Sequence, residues 1–222
     1  MKKTIISGVI TIAVVLLSSQ FVQAQGTMTY LSNVDQASAG SLAVGSDSWL
    51  ATLFTTGTNV SGYTLDSIEL GMADASGSPN DFMVTLYKPH TGGFDIRGSD
   101  LGTLDGSLNP TTAGIYTYTP DSSLTLSANT QYLIVLTAGT TVANGAYDWS
   151  IANGSFDTSG NWNPGTRYLS SDGGSHWTVT SVDYYVQFAI NATAVPEPGV
   201  LALSGLGGLL LLWHRRKSKA VL

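Results

Sequence analysis

Few residues in this 222-residue chain have the types and spacing that catalysis requires. A serine hydrolase needs a nucleophile, a base and an orienting group. Ser175 and His176 are adjacent, but neighbours on a strand point to opposite faces. A glycosidase needs two facing carboxyl groups, and most aspartates here stand in turns such as Asp105-Gly106, where they hydrogen-bond the turn backbone. We therefore predict no catalytic residues and a protein that is not an enzyme, although carboxyl pairs distant in sequence stay open.

One segment has the oxygen-bearing side chains that calcium prefers. Asp157-Thr158-Ser159-Gly160-Asn161 carries them at alternate positions, like the opening of a calcium loop. The later glutamate that completes such a loop is missing. The pattern favours a turn rich in Asp and Asn, so we predict no metal site and no cofactor.

Three aromatic residues give the best indication of binding, namely Trp162, Tyr168 and Trp177. They stand among polar and turn residues: Asn161, Asn163, Arg167, Asp172 and Gly173-Gly174. Aromatic faces beside amides and carboxylates suit sugar rings, so these residues are candidate glycan contacts. The alternative is that they fill the core or cover its edges, as Trp usually does in a β-sandwich. Trp49 and Trp149 lie in strand patterns and are predicted core residues.

The elements that would position these residues are short strands separated by turns such as Asn109-Pro110, Asn144-Gly145 and Asp172-Gly173-Gly174. We predict ten strands, at Ser48–Phe54, Tyr63–Leu70, Asp81–Lys88, Ser99–Leu104, Ile115–Thr119, Gln131–Thr137, Tyr147–Ala152, Thr166–Ser170, Trp177–Thr180 and Tyr184–Asn191. Such spacing predicts an all-β domain, a β-sandwich or jelly roll.

Two of these segments carry the clearest patterns. In Asp81–Lys88, Phe82, Val84 and Leu86 share one face, while Met83, Thr85 and Tyr87 share the other. Gln131–Leu136 is the most apolar segment, which favours a central strand.

Charge is unevenly distributed along the chain. Between Gln25 and Val195, three basic residues against fourteen acidic ones leave a net charge of −11. An acidic domain poor in Lys and Arg is a poor ligand for nucleic acid, so we expect no nucleic-acid partner. The chain contains no cysteine, and its core must hold it together without disulfides.

The first residues have the pattern of a cleaved secretory signal peptide. Lys2 and Lys3 precede the apolar run Ile5–Leu17, and Val22-Gln23-Ala24 fits a signal peptidase site. We predict cleavage after Ala24, which leaves residues 25–195 as one exported β-domain.

The last residues, 196–222, form a three-part pattern. Pro196-Glu197-Pro198 cannot join a helix or a sheet ladder and should stay extended. The apolar run Gly199–Trp213 follows as a single hydrophobic helix, about 22 Å long against a bilayer core of about 30 Å. The cations Arg215, Arg216 and Lys217 then stop transfer and stay in the cytoplasm. The short helix favours a transient membrane segment.

This order of features resembles the PEP-CTERM sorting domain. The resemblance implies recognition by exosortase, a membrane-embedded cysteine transpeptidase of Gram-negative bacteria that make exopolysaccharide. Exosortase would cut near Pro196-Glu197-Pro198 after export through the inner membrane, and release or re-attach the domain in the envelope or outside the cell.

A more diffuse resemblance concerns the β-domain itself. Ser122–Leu136, Phe54-Thr55-Thr56-Gly57 and Val84–Tyr87 resemble the choice-of-anchor ectodomains that accompany PEP-CTERM tails. We expect a non-enzymatic envelope or matrix protein, with exopolysaccharide as its expected partner. The alternative is a carbohydrate-binding module or adhesin that uses the region Trp162–Trp177.

Overall fold

Antiparallel strands make up the computed structural model, which describes residues 26–90, 92, 95–180 and 184–197. The predicted signal peptide, Pro198, the apolar run and the cations Arg215, Arg216 and Lys217 lie outside the described residues. In the described part of the chain, no helix has the length and apolar character needed to cross a membrane.

The described strands follow one another without helices between them. In chain order they are β1 (Met28–Ser32), β2 (Ser38–Val44), β3 (Trp49–Thr55), β4 (Tyr63–Gly77), β5 (Met83–Pro89), β6 (Arg97–Asp105), β7 (Gly114–Pro120), β8 (Leu124–Leu126), β9 (Gln131–Thr137), β10 (Gly145–Ala152), β11 (Asp157–Thr158), β12 (Asn163–Ser170), β13 (Thr178–Val179), β14 (Tyr185–Val186) and β15 (Phe188–Ala194).

These strands form one continuous sheet that curls upon itself, and it has two parts. The first part runs β11-β1-β15-β4-β7, with β8 and β10 also on β4, and with β2 and β14 on β10. The second part, called the second sheet below, runs β6-β5-β9-β3-β12-β13. The two parts are joined where Leu104 of β6 pairs with Pro120 of β7. The predicted all-β, sandwich-like fold is confirmed.

A main core lies between the two parts and takes side chains from both of them, such as Phe54 and Ile134 from the second sheet and Leu70 and Ile190 from the first. Strands β3 and β9 pair along six residues, from Leu50 opposite Leu136 to Thr55 opposite Gln131. β9 is bonded to β5 on its other edge, so the predicted central position of Gln131–Leu136 is confirmed.

The predicted strands agree with the structure except near the chain's last strand. Tyr184–Asn191 is not one strand, because Gln187 separates β14 from β15. The Gln187 amide donates to the carbonyls of Asn33 and Gln36, and its backbone N–H donates to Ser150, so the chain changes partners there. Four strands have no counterpart among the ten predicted ones: β1, β2, β8 and β11. β2 (SAGSLAV) consists mostly of small residues, which give little strand signal.

Candidate functional site

The outer face of the second sheet, opposite the main core, is apolar at its centre. Ala51 and Leu53 of β3 and Leu133 and Val135 of β9 are buried there, although the alternating residues of both strands already fill the main core. Five partly buried side chains pack on them: Trp49, Tyr87, Ile96, Tyr168 and Trp177. We call these five side chains the outer cluster.

Strand register brings the outer cluster together from distant parts of the chain. Tyr87 of β5 lies opposite Leu133, and Tyr168 of β12 lies opposite Ala51. Trp49 pairs with Ser170, the last residue of β12, so the loop that follows β12 runs beside the Trp49 ring. Period-two alternation places all of these side chains on one face.

Arg97 connects two loops at the edge of the outer cluster. Its guanidinium donates to both carboxylate oxygens of Asp95, at 3.0 and 2.9 Å, and to the carbonyl of Gly174 at 3.0 Å. The same guanidinium lies over the Trp49 ring, 5.3 Å from its centroid, in a cation–π contact. Hydrogen bonds from Arg97 lower the pKa of Asp95 below its usual range, so the carboxylate is charged at neutral pH.

The loop between β12 and β13, residues 171–177, is organised around Asp172. The backbone N–H and the imidazole of His176 both hydrogen-bond the Asp172 carboxylate, at 2.9 and 2.5 Å, and lower its pKa to about 2. Ser170 also donates to this carboxylate, while Ser170 Oγ accepts from the N–H of Gly174. Trp177 Nε1 donates to the Gly174 carbonyl, which holds the indole against the loop.

The structure divides the three predicted glycan contacts. Tyr168 and Trp177 come together in the outer cluster, partly exposed. Trp162 is 0 % exposed, so its assignment as a glycan contact is wrong. Its ring lies in the main core between Tyr30 and Phe54, with centroids 5.0 and 5.8 Å away.

A tight turn explains why Trp162 points inward. Ser159-Gly160-Asn161-Trp162 is a type I′ β-turn, closed by the Trp162 N–H to the Ser159 carbonyl at 3.1 Å. Gly160 and Asn161 take the required positive φ values of 58° and 62°. Asn161 and Asn163 are exposed, while the residue between them is turned into the core.

The other sequence candidates have structural positions. Asp157-Thr158 forms β11, paired with β1, and the rest of the calcium-like segment is the turn just described. No group of three or more His, Cys, Asp or Glu side chains that could hold a metal is present among the described residues. Ser175 donates its hydroxyl to the Asp172 carbonyl, so it is not aimed at an imidazole. Trp149 is fully buried, as predicted, whereas Trp49 is a member of the outer cluster.

Sequence reasoning missed Tyr87, Asp95 and Arg97 as site residues. A signal for Tyr87 existed, because the alternation of Asp81–Lys88 places it opposite the core-facing residues. A second signal was the run Tyr132–Leu136, which is apolar on both faces of the strand. Other side chains must therefore pack on its outer face as well as on its inner face.

The arrangement suits an uncharged ligand that combines a flat apolar face with hydroxyl groups. Partly exposed aromatic rings offer stacking surfaces, and the polar groups at their edge offer fixed donors and acceptors. The side chains of Asp95, Asp172 and His176 are 43, 40 and 62 % exposed, and so they are open to a ligand's hydroxyl groups.

The predicted sorting signal begins directly after the last strand. Pro196 and Glu197 are exposed and lie outside the strands. The family model described as "PEP-CTERM protein-sorting motif" matches residues 194–217 and confirms the predicted resemblance to the PEP-CTERM sorting domain. This motif implies an exported protein, sorted by exosortase to the cell envelope or the extracellular space.

No curated protein matches the chain. A solved structure of the cysteine protease and lectin-like domains of Cwp84, a surface layer associated protein of Clostridium difficile, superposes with a TM-score of 0.49 at 11 % identity. The match covers 75 % of this chain and 36 % of that one, so the chain spans about a third of the solved protein's length. The resemblance to choice-of-anchor ectodomains stays a prediction.

Proposed function

We propose that this chain is a non-enzymatic envelope or matrix protein of an exopolysaccharide-producing Gram-negative bacterium. One observation carries the proposal: the sorting motif matches residues 194–217, starting at the last residue of β15. In this proposal exosortase cuts near Pro196-Glu197-Pro198. The membrane segment is then a temporary anchor, and the β-domain works in or near the polysaccharide.

The test follows the processing of the full-length chain in two strains, one with exosortase and one in which its gene is deleted. We expect a shortened protein in the envelope or the medium of the first strain, and unprocessed protein in the membranes of the second. Replacing Pro196-Glu197-Pro198 by three alanines should reproduce the unprocessed form. Pro110→Ala, in the loop between β6 and β7 and far along the chain from the signal, is the control.

The link to polysaccharide has a separate test. The processed protein should sediment with the matrix of a polysaccharide-producing strain and stay in the soluble fraction when polysaccharide synthesis is deleted. Equal distribution in the two strains would overturn the structural role and leave the sorting proposal untouched.

A second candidate function is carbohydrate binding through the outer cluster. The specific observation is that Tyr168 and Trp177 are partly exposed beside Asp95 and Arg97, which are fixed by hydrogen bonds. A net charge of −11 between Gln25 and Val195 disfavours anionic polymers, so the proposed ligand is a neutral polysaccharide.

Affinity electrophoresis of the processed protein through gels of neutral polysaccharides tests this second function. We expect retardation, and we expect Trp177→Ala or Tyr168→Ala to lower the affinity about two- to tenfold, because stacking on one aromatic ring contributes about 0.5–1.5 kcal/mol. Tyr116→Ala, a partly buried tyrosine of the first sheet part, should leave retardation unchanged. Equal losses in all three variants would point to general unfolding.

A further inference from the structure

The chain leaves the β-domain through a hydrogen-bonded clasp centred on Asn59. Ala194, the last residue of β15, pairs with Tyr63 of β4. One residue further on, the Val195 N–H donates to the Gly62 carbonyl at 3.0 Å. Asn59 Nδ2 donates to the Val195 carbonyl at 2.9 Å, so both backbone polar groups of Val195 are held.

The turn that forms this clasp is itself fixed to the domain. Asn59 Nδ2 also donates to the Gly62 carbonyl at 3.0 Å, and Asn59 Oδ1 accepts from the Ser61 N–H at 3.1 Å. The Asn59 N–H donates to the hydroxyl of Tyr63, whose ring is buried in the main core.

Gly62 completes the turn in a conformation that favours glycine. Its φ is +82°, and a Cβ there would lie 2.5 Å from the Leu126 carbonyl oxygen. The clasp is therefore a fixed part of the domain, and Val195 is attached to it.

The next residue cannot continue the pairing. Pro196 has no N–H to donate, and both Pro196 and Glu197 are exposed. Enzymes that cut or transfer peptide bonds generally bind their substrate as an extended strand and pair with its backbone N–H and C=O groups. Residues that are already paired in a sheet have these groups occupied and are poor substrates. The boundary between protected and accessible backbone thus falls between Val195 and Pro196.

We propose that Asn59 is a positioning residue that sets the upstream limit of processing at Val195. The proposal rests on the proposed processing near Pro196-Glu197-Pro198 and adds the reason why cutting starts there and not within β15. Loss of the Asn59 amide frees the Val195 carbonyl, so the end of β15 opens more often. Bonds upstream of Pro196 then become substrates.

The test uses Asn59→Asp, because aspartate has nearly the same shape as asparagine. It retains an oxygen that accepts from the Ser61 N–H and lacks the N–H donors to the carbonyls of Gly62 and Val195. Asn163→Asp is the matched control, since its Nδ2 donates to the Asn161 carbonyl in an exposed turn. Spheroplasts that display the full-length chain in a strain without exosortase are treated with proteinase K. The C-termini of the released domains are then determined by mass spectrometry.

We expect wild type and Asn163→Asp to end at or after Val195. Asn59→Asp should give products that end within β15, roughly five- to thirtyfold more abundant, the factor that the loss of one or two ordinary hydrogen bonds corresponds to. The same distribution of ends in all three proteins would overturn the proposal. This arm contains no exosortase, so its outcome is independent of the proposed processing.

A second measurement separates local opening from misfolding. Hydrogen exchange at the Val195 N–H should accelerate by a similar factor in Asn59→Asp. Exchange at the Phe188 N–H, which donates to Asn33 Oδ1 at 2.8 Å in the interior, should stay unchanged. Unchanged exchange at Val195 would refute the clasp. In an exosortase-bearing strain, ragged ends in Asn59→Asp would extend the proposal to the natural enzyme, and absence of any processing there would count against the proposed function alone.

Discussion

The second sheet carries aromatic side chains on both faces, and the two faces use them differently. On the inner face, Phe54 contributes to a stack in which Trp162 lies parallel to it at an interplanar angle of 4°. On the outer face, Trp49 and Trp177 are partly buried and are held by polar contacts from Arg97 and Gly174. The inner rings are fixed by packing, and the outer rings are fixed by hydrogen bonds and charge.

This difference teaches that a ring's neighbours in sequence do not decide which role it takes. Trp162 has exposed asparagines on both sides and is fully buried, whereas Trp49 lies in an apolar strand and remains partly exposed. A main core built by packing should be sensitive to lost volume, and an outer cluster built by polar contacts should be sensitive to lost geometry and to pH.

The largest expected effect comes from removing the central ring of the inner stack. Trp162→Ala should lower the free energy of unfolding by about 3–5 kcal/mol, because the cavity cannot refill. Trp162→Phe should cost far less, since Trp162 Nε1 has no hydrogen-bond partner among the described residues. Urea unfolding of the processed protein measures both changes.

On the outer face, Trp177→Ala should lower the free energy of unfolding by only about 1 kcal/mol, because a partly exposed ring gains less from burial. Equal losses for Trp162→Ala and Trp177→Ala would break the comparison between the two faces.

Much of the fold follows from the sequence because strand patterns are local. The alternation in Asp81–Lys88 identifies Phe82, Val84 and Leu86 as core residues, and all three are fully buried. The site follows less well, because Arg97 reaches Trp49 and Gly174 through long-range pairing of strands. The inward orientation of Trp162 depends on the positive φ values of Gly160 and Asn161, which the residue types permit but do not require.

An intermediate loss of stability is expected from substitutions at Gly174, where Arg97 and Trp49 lie close to the backbone. Gly174 has φ +88°, and an added Cβ would lie 2.8 Å from both Arg97 and Trp49. Gly173 has φ +68° with nothing within 4 Å, so Gly173→Ala is a control that shares the backbone strain alone. We expect Gly173→Ala to lower the free energy of unfolding by about 1–2 kcal/mol. Gly174→Ala should lower it by about 1–3 kcal/mol more, and thermal unfolding measures both changes. Equal costs would show that the contact with Arg97 is loose.

A smaller effect is expected from changing the shape of the cation that joins the two loops. Arg97→Lys keeps the charge but loses the planar fork that contacts Asp95, Gly174 and Trp49 together. The ion pair is partly exposed and screened, so the loss should be about 1 kcal/mol. The Trp177 indole N–H signal in NMR spectra should broaden or shift. Lys88→Arg, an exposed cation of β5, should leave that signal unchanged.

The smallest expected effect is a response to acid that is confined to the outer cluster's loop. Because hydrogen bonds from His176 lower the pKa of Asp172 to about 2, the folded state favours the charged carboxylate more than the unfolded chain does. Its stabilising contribution is present above pH 4 and is lost as the pH falls from about 4 towards 2.

Asp105 should respond with the opposite sign. A hydrogen bond and charge repulsion from Asp121 raise its pKa, so its contribution is present below about pH 4 and is lost as the pH rises through the raised value. Carbon-detected NMR titration of the aspartate carboxyls measures both midpoints. Asp172→Asn should reduce the acid response of the Trp177 indole signal, leaving the part that comes from Asp95, and should leave the titration of Asp105 in place. If the Trp177 signal in the wild type does not change between pH 5 and pH 2, the carboxylate of Asp172 does not hold this loop, and the hydrogen bonds of Trp177 and Arg97 to the Gly174 carbonyl hold it instead.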